Sequence, residues 1–225
     1  MSNKAKIIFQ ADGSPYSKEF DDIYFDTESG FLQSEQVFIN GNNISKRLSS
    51  AKSIFTIAET GFGTGLNFLL TLSVYVEQAK QHHLPKLHFI TTEKYPLTKP
   101  QLEQSLAVLT ALSEYRELLL DAYPDSLTGN TTLYFLNGNI TLTILVGDAT
   151  EGFAQLPSSK AGVVDAWYLD GFSPSKNPDM WQDSLFEQMG RLSKLDATVS
   201  TFTVAGIVRR GLNMAGFRIK KQGYG

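Results

Sequence analysis

The stretch IFTIAETGFGTGLNFLL, residues 54–70, decides the fold. Its first five residues, IFTIA, form a short β-branched apolar run of the kind buried on both faces of a parallel sheet. Glu59-Thr60-Gly61-Phe62-Gly63-Thr64-Gly65 follows at once, and Leu66, Leu69 and Leu70 then recur at helical spacing with Ser73 to Val76. Glycines between a strand and a helix let the chain turn sharply and let a ligand approach the backbone without a Cβ in the way. The helix that opens behind them presents free N–H groups to an anionic group. A dinucleotide fingerprint, G-x-G-x-x-G, would need glycine at position 66, which is Leu66, and a phosphate-binding Walker loop would need Gly-Lys-Ser/Thr. Both are excluded.

Outward from this unit the chain alternates strands and helices. LHFITTE (87–93) reads as a second strand, and Thr98 with Gln101 and Pro100 as the start of a helix striped by Leu102, Leu106, Leu109 and Leu119. TLYFL and ITLTILVG flank Asn137-Gly138-Asn139, a hairpin signal. VVDAWYLD (163–170) is another buried strand, and Asn177-Pro178 opens a helix carrying Trp181, Leu185, Met189 and Leu192. TVSTFTV (198–204), a helix around 205–215 and FRIKK (217–221) complete the pattern. The expected architecture is α/β, a Rossmann-like, doubly wound and mostly parallel sheet over residues 54–225. Residues 1–53 form a β-rich extension packed on that core, with short segments IYFD and QVFIN broken by turns at Asp12-Gly13 and Asn40-Gly41-Asn42.

Composition narrows the chemistry. The 225 residues are 42% hydrophobic and 19% charged, ordinary for a folded globular chain. There is no cysteine, which removes disulfides, thiolate metal sites and cysteine nucleophiles; three histidines, His82 and His83 adjacent, make a histidine metal site a poor expectation. No apolar run approaches the roughly 20 residues of a membrane span, and the N-terminal residues lack a secretory pattern, so a cytoplasmic protein without metal is expected. Net charge is −3, yet residues 205–225 hold five cations (Arg209, Arg210, Arg218, Lys220, Lys221) and no acid. The other 204 residues carry fifteen cations against 23 acids, a net of −8. Such asymmetry marks either the wet faces of a terminal helix and strand or a nucleic-acid contact.

An acid two residues before G-x-G-x-G is the pattern of S-adenosylmethionine-dependent methyltransferases. Glu59 supplies it, and three further acids stand at successive strand ends: Glu93, Asp148 and Asp170. In open α/β sheets that rim is where ligands bind. An acid ending the second strand can take both ribose hydroxyls, and Asp148 is placed to accept from an adenine amino group. Each alone is an ordinary solvated strand-end residue; four together point to a methyl-donor site.

The segments AETGFGTGLNFL (58–69), TTEKYPLT (91–98), VDAWYLDGFSPSKNPDMW (164–181) and TFTVAGIVRRGLNMAGF (201–217) resemble the methyltransferase domain of the bacterial MnmC proteins, as do QADGSPYSKEF and FDDIYF near the N-terminus. The resemblance covers nearly the whole chain, and DGFSPSKNPDMW is its most specific part. It implies a class I methyltransferase that N-methylates 5-aminomethyl-2-thiouridine at the tRNA wobble position, giving 5-methylaminomethyl-2-thiouridine. The implied partners are the tRNA anticodon stem-loop and an FAD-dependent oxidase domain, which this chain does not resemble. The candidate cofactor-binding residues are Glu59, Gly61, Gly63, Gly65, Asn67, Glu93, Lys94, Asp148 and Asp170. Asp170 and Phe172 are the catalytic candidates, with Asp170 orienting the neutral amine as an acceptor. Tyr24 and Phe172 are candidates to stack on a flipped uracil, and Arg209 and Arg210, with Lys220 and Lys221, to hold phosphates. Two departures stand out. Lys194-Leu195-Asp196-Ala197 replaces a Pro/Gly-Gly turn, and the expected seventh strand, half of a closing antiparallel hairpin, is lacking, which predicts reduced stability or a neighbouring chain over the gap. Two other readings stay open, a methyltransferase on another amine and a cofactor-binding module without turnover.

Overall fold

The computed structural model describes residues 4–220. Strands β4 (Phe55–Glu59), β5 (Leu87–Glu93), β6 (Thr131–Phe135), β7 (Ile140–Val146), β8 (Val164–Tyr168) and β9 (Ser193–Ser200) form one sheet in the order β6-β7-β5-β4-β8-β9. All neighbours run parallel except β6 and β7, the expected hairpin. Because side chains alternate across a strand, Ile57, Phe89, Ile144 and Tyr168 feed one apolar core while Ala58, Ile90, Leu145 and Trp167 feed the other. Helices α3 (Leu66–Ala79), α4 (Lys99–Leu106) and α5 (Ser113–Ala122) belong to the first core. Helices α6 (Ala149–Ala154), α7 (Asp183–Leu192) and α8 (Gly206–Met214) cover the second. This is the doubly wound architecture that the strand–glycine loop–helix unit predicts.

The N-terminal segment begins as an antiparallel three-stranded sheet, β1 (Ile7–Phe9), β2 (Pro15–Ser17) and β3 (Asp22–Ile23). Asp12 holds the first turn by accepting from the Ser14 N–H and hydroxyl. Beyond it the β reading fails. QVFIN is helical, lying in a π-helical stretch (Glu35–Asn40) between α1 (Gly30–Ser34) and α2 (Ile44–Ser50). The reason is tertiary. Val37, Phe38 and Ile39 are all buried, and Phe38 packs on the rings of Tyr168 and Phe202 at 5.2 and 5.1 Å. The wide turn closes when Gly41 donates to the Gln36 carbonyl, where a Cβ would lie 2.1 Å from the Val37 oxygen. Asn42, fully buried, donates to the Phe38 and Trp167 carbonyls and so ties this segment to β8.

Three other boundaries differ from expectation. The leucine-striped helix is two helices, α4 and α5, joined by a short 3-10 turn (Thr110–Leu112), although all four of its stripe leucines are buried. Asn177-Pro178 lies in a run of turns, and α7 starts at Asp183; Trp181 is held before the helix, its indole donating to the Phe172 carbonyl at 2.9 Å. FRIKK forms no strand over residues 217–220, and Lys221 lies outside the described residues. After α8 the left-handed Gly216 (φ +93°) turns the chain, and Phe217 seats against the second core instead of running beside β9. β9 pairs with β8 at Ser193 and again from Thr198, so residues 194–197 of the strand form a bulge between the two pairings, and Leu195 is fully exposed. Among the described residues β9 is therefore a sheet edge.

Candidate active site

The C-terminal ends of β7, β5, β4 and β8 carry, in that spatial order, Asp148, Glu93, Glu59 and Asp170. A cavity of about 310 Å³ opens above them, within the size range of small-molecule sites. Gly61, Gly63, Asn67, Glu93, Lys94, Asp148, Asp170, Phe172 and Tyr24 all line it. Glu59 and Gly65 do not.

The glycine loop is held from both sides. Phe62 N–H donates to the Thr92 carbonyl and Gly63 N–H to Glu93 Oε2 at 2.7 Å, while Tyr95 N–H takes Glu93 Oε1 at 2.8 Å. Glu93 thus anchors the loop to β5 with one bond on each oxygen, and each oxygen keeps a further lone pair. Burial raises its pKa, and the N–H bonds partly offset this. Gly65 is required by the fold itself: its φ is +76°, and a Cβ would meet the Phe62 ring at 2.8 Å. Gly61 is different. A Cβ there would meet only the Asp170 carbonyl oxygen, at 3.8 Å, so the space a side chain would take belongs to the cavity.

Asp148 caps α6, its Oδ1 accepting from Thr150 N–H at 2.9 Å, and the residue lines the cavity with no protein donor on its Oδ2 among the described residues. Asp170 follows β8; Gly171 N–H holds its Oδ1 at 2.8 Å and Asn67 Nδ2 its Oδ2 at 2.7 Å. The same Asn67 nitrogen reaches Glu59 Oε1 at 2.9 Å, and Thr91 Oγ1 lies 2.8 Å from Glu59 Oε2. Burial raises the pKa of Asp170, and raises that of Glu59 well above the usual carboxylate range, with Asp170 as a second cause. The sequence places these acids on one rim but gives no sign that one asparagine joins two of them.

At the cavity mouth Phe172 meets Tyr24 edge-on at 5.3 Å. Its partner on the stacked side is Phe20, at 4.5 Å and 24°, and Phe20 also touches Tyr95. Phe20 is absent from the expected site, although it opens the FDDIYF segment; its distance in sequence from Phe172 hid the contact. Lys176 donates to the Asp21 carbonyl and carboxylate, both at 2.7 Å, fastening the N-terminal segment to the DGFSP loop. Arg209 and Arg210 lie outside the cavity, exposed on α8, and neither has an ion pair among the described residues. Arg209 borders a second hollow, along β9, with Lys220.

The family model for S-adenosyl-L-methionine-dependent methyltransferases matches residues 110–225, just over half of the chain. The chain belongs to that methyltransferase family. It is 48% identical over 95% of its length to the tRNA 5-methylaminomethyl-2-thiouridine biosynthesis bifunctional protein MnmC of Marinomonas sp. (strain MWYL1), covering 31% of that protein. Its identity to MnmC of Aeromonas hydrophila is 45% over 98% of the chain, covering 34% of that protein. The chain spans about a third of the length of the curated relatives it matches. The crystal structure of MnmC2 from Aquifex aeolicus shares the fold, with a TM-score of 0.72 at 22% identity over 96% of this chain and 65% of that one. The expected kinship with the MnmC methyltransferase domain is borne out.

The residues present suit the methyltransferase cofactor, S-adenosylmethionine. Its sulfonium and ammonium are cations, and the cavity is lined by five carboxylates, of which Glu93, Asp148 and Asp170 stand at the strand ends with lone pairs to spare. The side-chain space at Gly61 is open, and the N-terminus of the 14-residue α3 meets the cavity wall at Leu66 and Asn67. Among the described residues no cluster of His, Asp and Glu could hold a metal ion, and no helix is long and apolar enough to cross a membrane.

Proposed function

We propose that the chain N-methylates 5-aminomethyl-2-thiouridine at the tRNA wobble position, giving 5-methylaminomethyl-2-thiouridine. The observation that carries this reading is Asp170, a half-buried carboxylate held on both oxygens at the cavity wall beside the aromatic group Phe20, Tyr24 and Phe172. The name of the MnmC relatives supports the substrate. S-adenosylmethionine supplies an electrophilic methyl group on a sulfonium.

The amine must arrive as a free base, because an ammonium has no lone pair. A solvated aspartate, near pKa ~4, is a poor partner for an amine near ~10. Burial of Asp170 narrows that difference from the acid's side, and desolvation of the amine on binding narrows it from the other. Asp170 therefore accepts an N–H of the neutral amine and aims its lone pair, with the proton lost to water. Phe172 and Tyr24 stack on or border the extruded base, and Phe20 braces Phe172 from behind. Glu93 takes the ribose hydroxyls, Asp148 the adenine amino group, and Lys94, Asn67 and the backbone at Gly61 and Gly63 complete the cofactor wall. Glu59 and Gly65 act from behind it. Arg209, Arg210 and Lys220, all exposed, bind anticodon-stem phosphates. Residues 54–225 are the catalytic core and 1–53 an extension that contributes Phe20 and Tyr24 to the aromatic mouth. An FAD-dependent oxidase acts with it in the cytoplasm to prepare the amine.

Methyl transfer from labelled S-adenosylmethionine is measured on tRNA carrying 5-aminomethyl-2-thiouridine, beside unmodified tRNA and the free nucleoside. Label on the modified tRNA is expected; label on neither tRNA, with cofactor binding intact by calorimetry, would overturn the substrate assignment.

A further inference from the structure

Glu59 is the most enclosed carboxyl group near the site, at 1% exposure, and the cavity does not reach it. Among the described residues it has no ion pair, and the charged groups acting on it are the acids Asp170 and Glu93. The phenol of Tyr168 is the other titratable group near it. Its hydrogen-bond partners are few enough to count. Asn67 Nδ2 has two hydrogens and two carboxylate neighbours, Glu59 Oε1 at 2.9 Å and Asp170 Oδ2 at 2.7 Å, so each takes one. Turning the amide over would set its oxygen against both carboxylates.

Thr91, itself fully buried, has one hydroxyl hydrogen and two acceptors in reach: Glu59 Oε2 at 2.8 Å and the Thr92 carbonyl at 3.4 Å. If Glu59 were ionised, its charge would sit unpaired in the interior, across one amide from a second carboxylate, and burying such a charge is strongly unfavourable. With a proton on Oε2 the arrangement balances. Glu59 donates to Thr91, Thr91 donates to the Thr92 carbonyl, and Oε1 still accepts from Asn67. One charge then remains in the group, on Asp170.

We propose that Glu59 acts as a neutral carboxylic acid, a positioning residue that with Thr91 aims the Asn67 amide and so sets the Asp170 carboxylate toward the acceptor amine. The hydrogen-bonding shape at position 59 matters and its negative charge does not. This rests on the acceptor-side role proposed for Asp170.

Infrared spectroscopy of the full chain at neutral pH tests the proton directly, without turnover. Wild type shows the carbonyl stretch of a protonated acid, Glu59→Gln removes it, and Thr91→Val shifts it by taking away the acceptor of its hydrogen. A band absent from wild type, or one unmoved by both substitutions, overturns the proposal. In the second arm Glu59→Ala lowers kcat by at least about tenfold with KM for S-adenosylmethionine changed less than about threefold, and Glu59→Gln recovers most of that loss. Equal losses for Gln and Ala in folded protein overturn the positioning role. If no acceptor is methylated by wild type, the substrate reading has failed, while the infrared arm still decides the protonation of Glu59.

Discussion

Asn67 is the side chain whose removal the structure makes most informative. It is 5% exposed, and its one amide nitrogen donates to Glu59 at 2.9 Å and to Asp170 at 2.7 Å. Asn67→Ala deletes both bonds and leaves a buried Glu59 oxygen and a half-buried Asp170 oxygen without this donor. A bond to a charged acceptor contributes about 1.5–3 kcal/mol and one to a neutral acceptor about 0.5–1.5 kcal/mol. With one of each, the loss is about 2–4.5 kcal/mol. In a domain of this size that lowers Tm by roughly 5–15 °C. Scanning calorimetry without cofactor, with urea unfolding as a second measure, reads this loss. Asn67→Asp sharpens the test, because it sets a third acid against the other two where a donor stood. At pH 8 it is less stable than Asn67→Ala. The gap closes on acidification, as the introduced carboxyl group takes up a proton and can donate again; Ala has no such recovery. An Ala variant within about 0.5 kcal/mol of wild type would refute the amide bridge. So would an Asp variant as stable as Ala at pH 8.

Four further outcomes rest on the same structure. Gly61→Val leaves the fold intact, because a Cβ there meets only an oxygen at 3.8 Å, yet abolishes cofactor binding by calorimetry. Gly65→Ala does the reverse and destabilises by about 1–3 kcal/mol in denaturant, given its φ of +76° and the Phe62 ring at 2.8 Å. Glu59 and Asp170 have folded-state pKa values raised above the unfolded ones, so their stability contribution is complete below pH ~4 and is lost as pH rises through the folded values. Wild type therefore loses stability with rising pH at up to about 1.4 kcal/mol per unit for each group, and Glu59→Gln shows a shallower slope between pH 5 and 8 in urea titrations; an equal slope would contradict the assignment to Glu59. Arg209→Ala with Arg210→Ala weakens tRNA binding and lowers the salt slope by up to about 0.9 for each phosphate no longer neutralised, without affecting cofactor affinity; an unchanged slope would remove them from the RNA surface.

The legible parts of this chain are those whose cause is local. A β-branched run, a glycine loop and a leucine-spaced helix occur within 17 residues of sequence, so the strand, the turn and the rim where ligands bind follow from backbone sterics and periodicity alone. The four acids are visible for the same reason, each standing at or just past a recognisable strand end. Where packing outweighs propensity, sequence misleads. QVFIN has strand composition, but Phe38 is fully buried against Tyr168, and the chain adopts a wide helical turn to place it there. FRIKK alternates like a strand, yet Phe217 takes a place in the second core and Gly216 turns the chain to reach it. The stacking of Phe20 on Phe172, the latch from Lys176 to Asp21 and the bridge from Asn67 to Asp170 join residues 152, 155 and 103 positions apart. Sequence alone determined which chemical groups this protein has and which rim they occupy, because strand ends and turns are set by neighbouring residues. Only the tertiary structure decided which acid faces the cavity and which lies behind it, because burial and hydrogen-bond pairing depend on segments that meet only when the sheet is assembled.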